Sequence, residues 1–204
     1  MEKTWKQHYN QFNSKNIPPA ATLVKALTLF SNEKFVENNK QAIDLGCGNG
    51  VDSLEILKQG WDILVIDQEK DAIEQLENRI SPDLITSFKK LCCTFEELNV
   101  LPKAFLVNAS FSLPFCKPES FENFWNLILN SLLPSGVFAG HFFGIEDSWN
   151  NNPNMTFHSK NDIEFLFSDF KVEAFKEVNK VGKTISGKEK HWHVFHVVAR
   201  KKTT

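Results

Sequence analysis

The chain has 204 residues, 42% of them hydrophobic, and a formal net charge of −2 from 23 basic and 25 acidic residues. That length supports one core of ordinary size, and the near-neutral balance excludes the electrostatic footprint of a nucleic-acid or anionic-membrane binder. No apolar run reaches the roughly 18 residues that span a bilayer; the first residues lack a secretion signal; Cys47, Cys92, Cys93 and Cys116, without CxxC spacing, read as reduced thiols of a cytoplasmic protein with no metal site.

Trp5, His8, Tyr9 and Phe12 recur at helical spacing, and Pro18-Pro19 then suits the start of a second helix running to about Phe30. Residues 1–35 are expected to form a helical cap. From residue 41 strands and helices alternate. Ala42–Leu45 is a buried strand, followed by the glycine turn Gly46-Cys47-Gly48-Asn49-Gly50 and a helix over Asp52–Gln59. Trp61–Ile66 is a second strand ended by Asp67, and Lys70–Ile80 an amphipathic helix.

Ile85–Cys93 suits a third strand, Thr94–Leu98 a helical turn, and Ala104–Ala109 a fourth strand that is apolar until Asn108. A helix is expected over Pro118–Leu133, a tight turn at Pro134-Ser135-Gly136, and a fifth strand over Val137–Phe143. A polar insert follows, and residues 144–158 are expected to form a lid. After a short helix over Asn161–Phe167, Phe170–Val178 and His191–Ala199 read as a final antiparallel pair. Strands separated by helices imply right-handed βαβ units and a mostly parallel sheet covered on both faces, in one domain over residues 1–204.

Ligands of such sheets bind at the carboxyl ends of the strands. Asp44 through Gly50, Asp67, Thr94 and Asn108 all fall there. Glycines at 46 and 48 let a ligand approach the backbone closely. Asp67, roughly twenty residues after the turn, can accept hydrogen bonds from both hydroxyls of a ribose. Asp44, inside the first strand, would repel a pyrophosphate and favour a ligand bearing an ammonium and a sulfonium. A nicotinamide-dependent oxidoreductase is thereby disfavoured.

Ile43-Asp44-Leu45-Gly46-Cys47-Gly48-Asn49-Gly50 resembles the first motif of class I S-adenosylmethionine-dependent methyltransferases. Val65-Ile66-Asp67 is similar to their second motif, and Leu132-Leu133-Pro134-Ser135-Gly136-Val137 to their turn before the fifth strand. The size and the last strand, ending Val197-Val198-Ala199-Arg200-Lys201-Lys202, look most like the tellurite-resistance-type, small-molecule branch. The resemblance implies a Rossmann-like, doubly wound, seven-stranded sheet with a C-terminal antiparallel hairpin, and S-adenosyl-L-methionine as cofactor. It implies that Asp44, Gly46, Cys47 and Gly48 surround the methionine part. Asp67 would take the ribose, Gln68, Thr94 and Phe95 the adenine, and Asn108 and Ala109 the neighbourhood of the donor methyl. Trp5 and Tyr9 would cover the cofactor.

The expected reaction is methyl transfer to a small-molecule acceptor, with neither nucleic acid nor membrane as partner. Ser110, Phe111, Phe115, Phe142, Phe143 and Trp149 would surround that acceptor. His141 and His158 are the candidate bases if the nucleophile must lose a proton. His191, His193 and His196 on the last strand divide between its two faces, against a three-histidine metal site. A cofactor-binding partner subunit without catalysis is the alternative reading.

Overall fold

The computed structural model describes residues 17–31, 40–184 and 186–203. Trp5 and Tyr9, expected to cover the cofactor, lie outside the described residues, as does most of the expected cap. What is described of the cap is a helix, α1 (Ala21–Leu29), whose Leu23 and Ala26 are buried. It lies against the fifth and last strands of the sheet, and Phe30 just beyond it meets Trp61 edge-on at 5.0 Å.

The strands are β1 (Gln41–Leu45), β2 (Asp62–Asp67), β3 (Phe88–Cys92), β4 (Ala104–Ala109), β5 (Leu132–Gly144), β6 (Phe157–His158), β7 (Phe170–Lys183) and β8 (Glu189–Lys201). They form one sheet in the order β3-β2-β1-β4-β5-β8-β7, with the two-residue β6 paired to β5. β1 through β6 pair in parallel, and β8 is antiparallel to both neighbours. The seven-stranded architecture with a reversed strand near one edge is thus present, and β6 is an addition that the sequence did not announce.

Helices α2 (Val51–Lys58) and α3 (Lys70–Glu77) join α1 on one face, packing Ile56, Leu57, Ile73 and Leu76 against Ala42, Ile63, Val65 and Val137. On the other face α4 (Pro118–Ser131) and α5 (Lys160–Leu166) pack Phe121, Phe124, Trp125, Ile128 and Ile163 against Leu45, Val107, Phe138 and Phe142. Strand alternation puts the two sets on opposite faces. That explains why β1, β2 and β4 read as almost continuous apolar runs: both faces are covered.

Three boundaries differ from the sequence expectation. α3 stops at Glu77 rather than Ile80, because Asn78 caps it before Ser81-Pro82 is reached. Pro134-Ser135-Gly136 is not a turn outside the sheet but a bulge within β5. Leu132 pairs with Ala104 and Val137 with Leu106, so the extra residues loop out, with Ser135 at φ 63°. The last hairpin is longer than expected, running to Lys183 and resuming at Glu189, with Gly187 at φ 82° in the turn. No helix among the described residues is long and apolar enough to cross a membrane.

Candidate functional site

The glycine turn leaves β1 with Gly46, Gly48 and Gly50 at φ 69°, 50° and 73°. That left-handed series suits glycine alone at low cost. A Cβ on Gly46 would lie 2.4 Å from Ser112 Cβ, and one on Gly50 2.3 Å from Leu76 Cδ1. The first contact lets the loop after β4 press onto the turn; the second lets α3 do so from the far side.

The turn's amides point inward. Gly46 and Cys47 both donate to the Ile66 carbonyl (2.7 and 3.1 Å), and Gly50 donates to the Cys47 carbonyl (2.8 Å). The Gly48 amide donates to Asp67 Oδ2 at 2.8 Å. An anion laid on this turn would find these donors already committed, unlike the open amide cradle of a pyrophosphate site. Cys47 contributes backbone here; its side chain is buried in the α1–α2–α3 cluster, where burial raises the thiol well above its ordinary range.

Beneath the turn lie acids. Asp44 is 1% exposed; Oδ2 accepts from Ser53 Oγ at 2.5 Å and Oδ1 from Asn108 Nδ2 at 2.9 Å. The same Asn108 amide donates to Asp52 Oδ2 at 3.1 Å, and Asp52 Oδ1 accepts from the Ala20 amide at 2.8 Å. Burial, then the neighbouring Asp52 charge, pushes the Asp44 carboxyl up to about 7. Asp67, at the end of β2, is fixed through Oδ2 by Gly48 and through Oδ1 by the Glu69 amide (2.9 Å). The structure thus brings Asp44, Gly46, Gly48, Asp67 and Asn108 together, and adds Asp52 and Ser53. Their place in the first turn of a helix that starts at the glycine turn was the available signal.

The remaining positions are arranged less simply. Gln68 is exposed beside Asp67, its carbonyl facing Cys92 Sγ at 3.6 Å. Thr94 is a helix cap: its hydroxyl and amide both donate to Glu97 Oε2 (3.1 and 2.8 Å). Phe95 is partly buried and stacked on Phe124 at 4.4 Å. Ala109 is fully buried at the end of β4.

After Ala109 the chain turns sharply. Ser110 Oγ donates to Asn108 Oδ1 (3.3 Å), Phe111 adopts φ 55°, and Ser112 Oγ donates to the Leu45 carbonyl (2.5 Å). The Phe111 amide donates to His141 Nδ1 at 3.3 Å, and the two rings stack at 3.9 Å and 11°. His141 is paired across the sheet with His196 and meets it edge-on at 4.6 Å.

His141 and His158 do not converge. His141 lies on the α1 face of β5. His158, aligned with Gly144, lies on the α4 face, 4.6 Å from Phe121 and 5.5 Å from Phe142. Burial depresses both imidazoles, His141 to about 3 and His158 to about 4, so both are neutral at pH 7. His158 Nδ1 is buried without a hydrogen-bond partner. Phe142, expected beside an acceptor, belongs to the α4-side core with Trp125 and Phe167. Phe143 is on the other face, touching Phe115, Trp149 and Trp192 at 6.4, 5.9 and 6.0 Å.

Residues 144–158 are fastened down. Lys190 forms a buried ion pair with Asp147 and lies 4.2 and 3.8 Å from the ring centres of Trp149 and Trp192. Asp147 also accepts from the amides of Trp149 (3.0 Å) and His193 (3.2 Å). At the far end Thr156 donates to the carbonyls of Pro114 and Cys116 (2.9 and 2.7 Å). Nothing local in sequence marks Lys190, which stands 43 residues from its partner. On the opposite face of β8, His193 Nε2 lies 3.0 Å from Glu177 Oε1 and its Nδ1 accepts from the Glu146 amide (3.1 Å).

Residues 42–136 match a family model described as a methyltransferase domain. The chain is 28% identical over 143 residues to a carboxy-S-adenosyl-L-methionine synthase of Psychromonas ingrahamii, covering 67% of this chain and 58% of that protein. It spans little more than half the length of the curated relatives it matches. Among solved structures, TehB from Haemophilus influenzae superimposes with a TM-score of 0.75 at 16% identity, over 97% of this chain and 66% of that one. The 1,6-didemethyltoxoflavin-N1-methyltransferase of Burkholderia thailandensis, solved with its substrate and S-adenosylhomocysteine, gives 0.62 at 17% identity, over 90% and 79%. Residues 42–136 thus resemble a methyltransferase domain, and the superpositions show that the chain shares the fold of TehB and of the didemethyltoxoflavin methyltransferase.

Proposed function

We propose that the protein transfers a methyl group from S-adenosyl-L-methionine to a small-molecule acceptor by in-line displacement. One observation carries the reading: the glycine turn folds its amides inward over a buried Asp44, while Asp67 stands fixed at the end of β2. That arrangement repels phosphate and attracts a cationic ligand that also carries a ribose. When bound, the sulfonium supplies an electrophilic methyl group; its carbon–sulfur bond breaks as the nucleophile–carbon bond forms, leaving S-adenosylhomocysteine.

Asp44, with the backbone carbonyls at Gly46, Cys47 and Gly48, would hold the ammonium of the amino-acid part, and Asp67 the ribose hydroxyls. Gln68, Thr94 and Phe95 would line the base. Asn108 couples the two sides, since its amide binds Asp44 and Asp52 while its carbonyl accepts from Ser110. Alignment of the acceptor supplies most of the rate in such a displacement. His141 and His158 are weak bases with conjugate acids near 3 and 4, which favours an acceptor that attacks without losing a proton to either.

The curated relatives are named for making a carboxylated donor. A product of that kind places a carboxylate beside the sulfonium and calls for a cation there. The acids around Asn108 support plain methyl transfer.

Calorimetry tests the reading. S-adenosylmethionine is expected to bind and NAD not to. Asp67→Ala should weaken binding of the donor by about tenfold or more, the scale of a lost charge-assisted contact. Absence of heat with the donor, or an unchanged affinity in that variant, would sink the assignment. Tight binding with no adenosylhomocysteine released across thiols, amines and phenols would favour a non-catalytic partner subunit.

A further inference from the structure

We propose that Phe111 is an acceptor-binding residue, its ring a platform on which a planar heteroaromatic molecule stacks. The proposal rests on the methyl-transfer reading above and narrows it to a class of acceptor.

The backbone gives the first reason. Phe111 sits at φ 55°, a region that bulky residues avoid and that costs free energy wherever it persists. A glycine or asparagine there would relieve the strain. The conformation survives because its neighbours over-determine it: Ser110 is tied to Asn108, Ser112 to the glycine turn, and the Phe111 amide to His141 Nδ1.

Exposure gives the second. Most of the aromatic rings around the sheet are buried, yet Phe111 is 43% exposed beside the end of β4. One face of its ring is covered by the His141 imidazole at 3.9 Å and 11°, and His196 stands edge-on at 6.2 Å. The outer face of the Phe111 ring is free of these partners. Offset stacking on such a face rewards flat π-systems over saturated rings of equal size.

Charge gives the third. The Phe111 amide donates to His141 Nδ1, which places the imidazole proton on Nε2 and makes the backing ring neutral. Two carboxylates, Asp44 and Asp52, are joined to this loop through Asn108. A neutral aromatic platform next to acids suits a nitrogen heterocycle better than an anionic acceptor.

Saturation-transfer NMR on the protein saturated with adenosylhomocysteine tests this. The probes are aminoquinolines and aminopteridines, set against saturated cyclic amines of matched size. The planar set is expected to bind and the saturated set not to. Phe111→Gly, which removes both ring and strain, should weaken planar binding about tenfold. Its adenosylhomocysteine affinity should stay within about twofold and its thermal midpoint should not fall. Phe111→Asn, which also tolerates the left-handed region, should behave alike if the glycine variant folds poorly, and Phe111→Tyr should keep planar binding. Equal binding of the two probe sets, no binding by any planar probe, or planar binding undiminished in the glycine and asparagine variants overturns the proposal. Failure of the wild-type protein to bind adenosylhomocysteine overturns the methyl-transfer reading, and this proposal with it.

Discussion

Asp44 is held near neutrality in pKa by its own burial, and a cationic ligand above it needs the ionised form. Binding should thus expel a proton whenever the free protein carries one. Affinity for S-adenosylmethionine is expected to fall below pH 7 by up to about tenfold per unit, and to be flat above it. Calorimetry in buffers of different ionisation enthalpy reads the proton directly. Asp44→Asn should bind weakly at all pH values and release none; a wild-type affinity that ignores pH from 5 to 8 would contradict the role given to Asp44.

Among the elements, the segment between β5 and β6, expected as a lid, is held by long-range pairing: it is anchored by Lys190 and Asp147, whose side chains are 2% and 0% exposed. Removing one partner of such a pair leaves a buried charge and costs roughly 3–5 kcal/mol. Lys190→Met and Asp147→Asn should each lower urea stability on that scale. The double variant should lose less than the two together; strict additivity would mean the pair is not coupled. The same comparison shows what the sequence revealed. β1, β2 and β4 were legible because burial on both faces leaves apolar runs, and the glycine turn because positive φ demands glycine. The β5 bulge was not, since Pro-Ser-Gly has the composition of a turn whether or not pairing continues past it. His141 and His158 looked alike as candidate bases, and only the register of β6 on β5 places them on opposite faces. Lys190 was invisible because long-range pairing, not local pattern, brings it to Asp147.

For the molecule as a whole, buried titratable groups set the response to acid. His141 and His158 are held near 3 and 4 in the folded state against 6.5, and Asp44 near 7 against 3.8. Between about pH 4 and 6.5 unfolding therefore takes up a proton at each histidine and releases one at Asp44. His196, also lowered by burial, adds to the uptake, so uptake exceeds release and stability should rise with pH across that window. Above about 6.5 the unfolded-state histidines lose their protons while folded Asp44 loses its own, and the trend should flatten by pH 7. Asp44→Asn should steepen the slope, which urea midpoints at pH 5, 6 and 7 would show; a flat profile in both proteins would refute the assignment of these shifts. The strand order carries a consequence for biosynthesis. β1 to β4 can pair as they leave the ribosome, but one edge of β5 stays open until Glu189–Lys201 has been made. His196, which flanks His141 and Phe111, arrives with that last strand. The loop bearing Phe111 and the strand bearing His141 are thus made before the strand that brings His196 against them, and the sheet stays open on that side until it arrives.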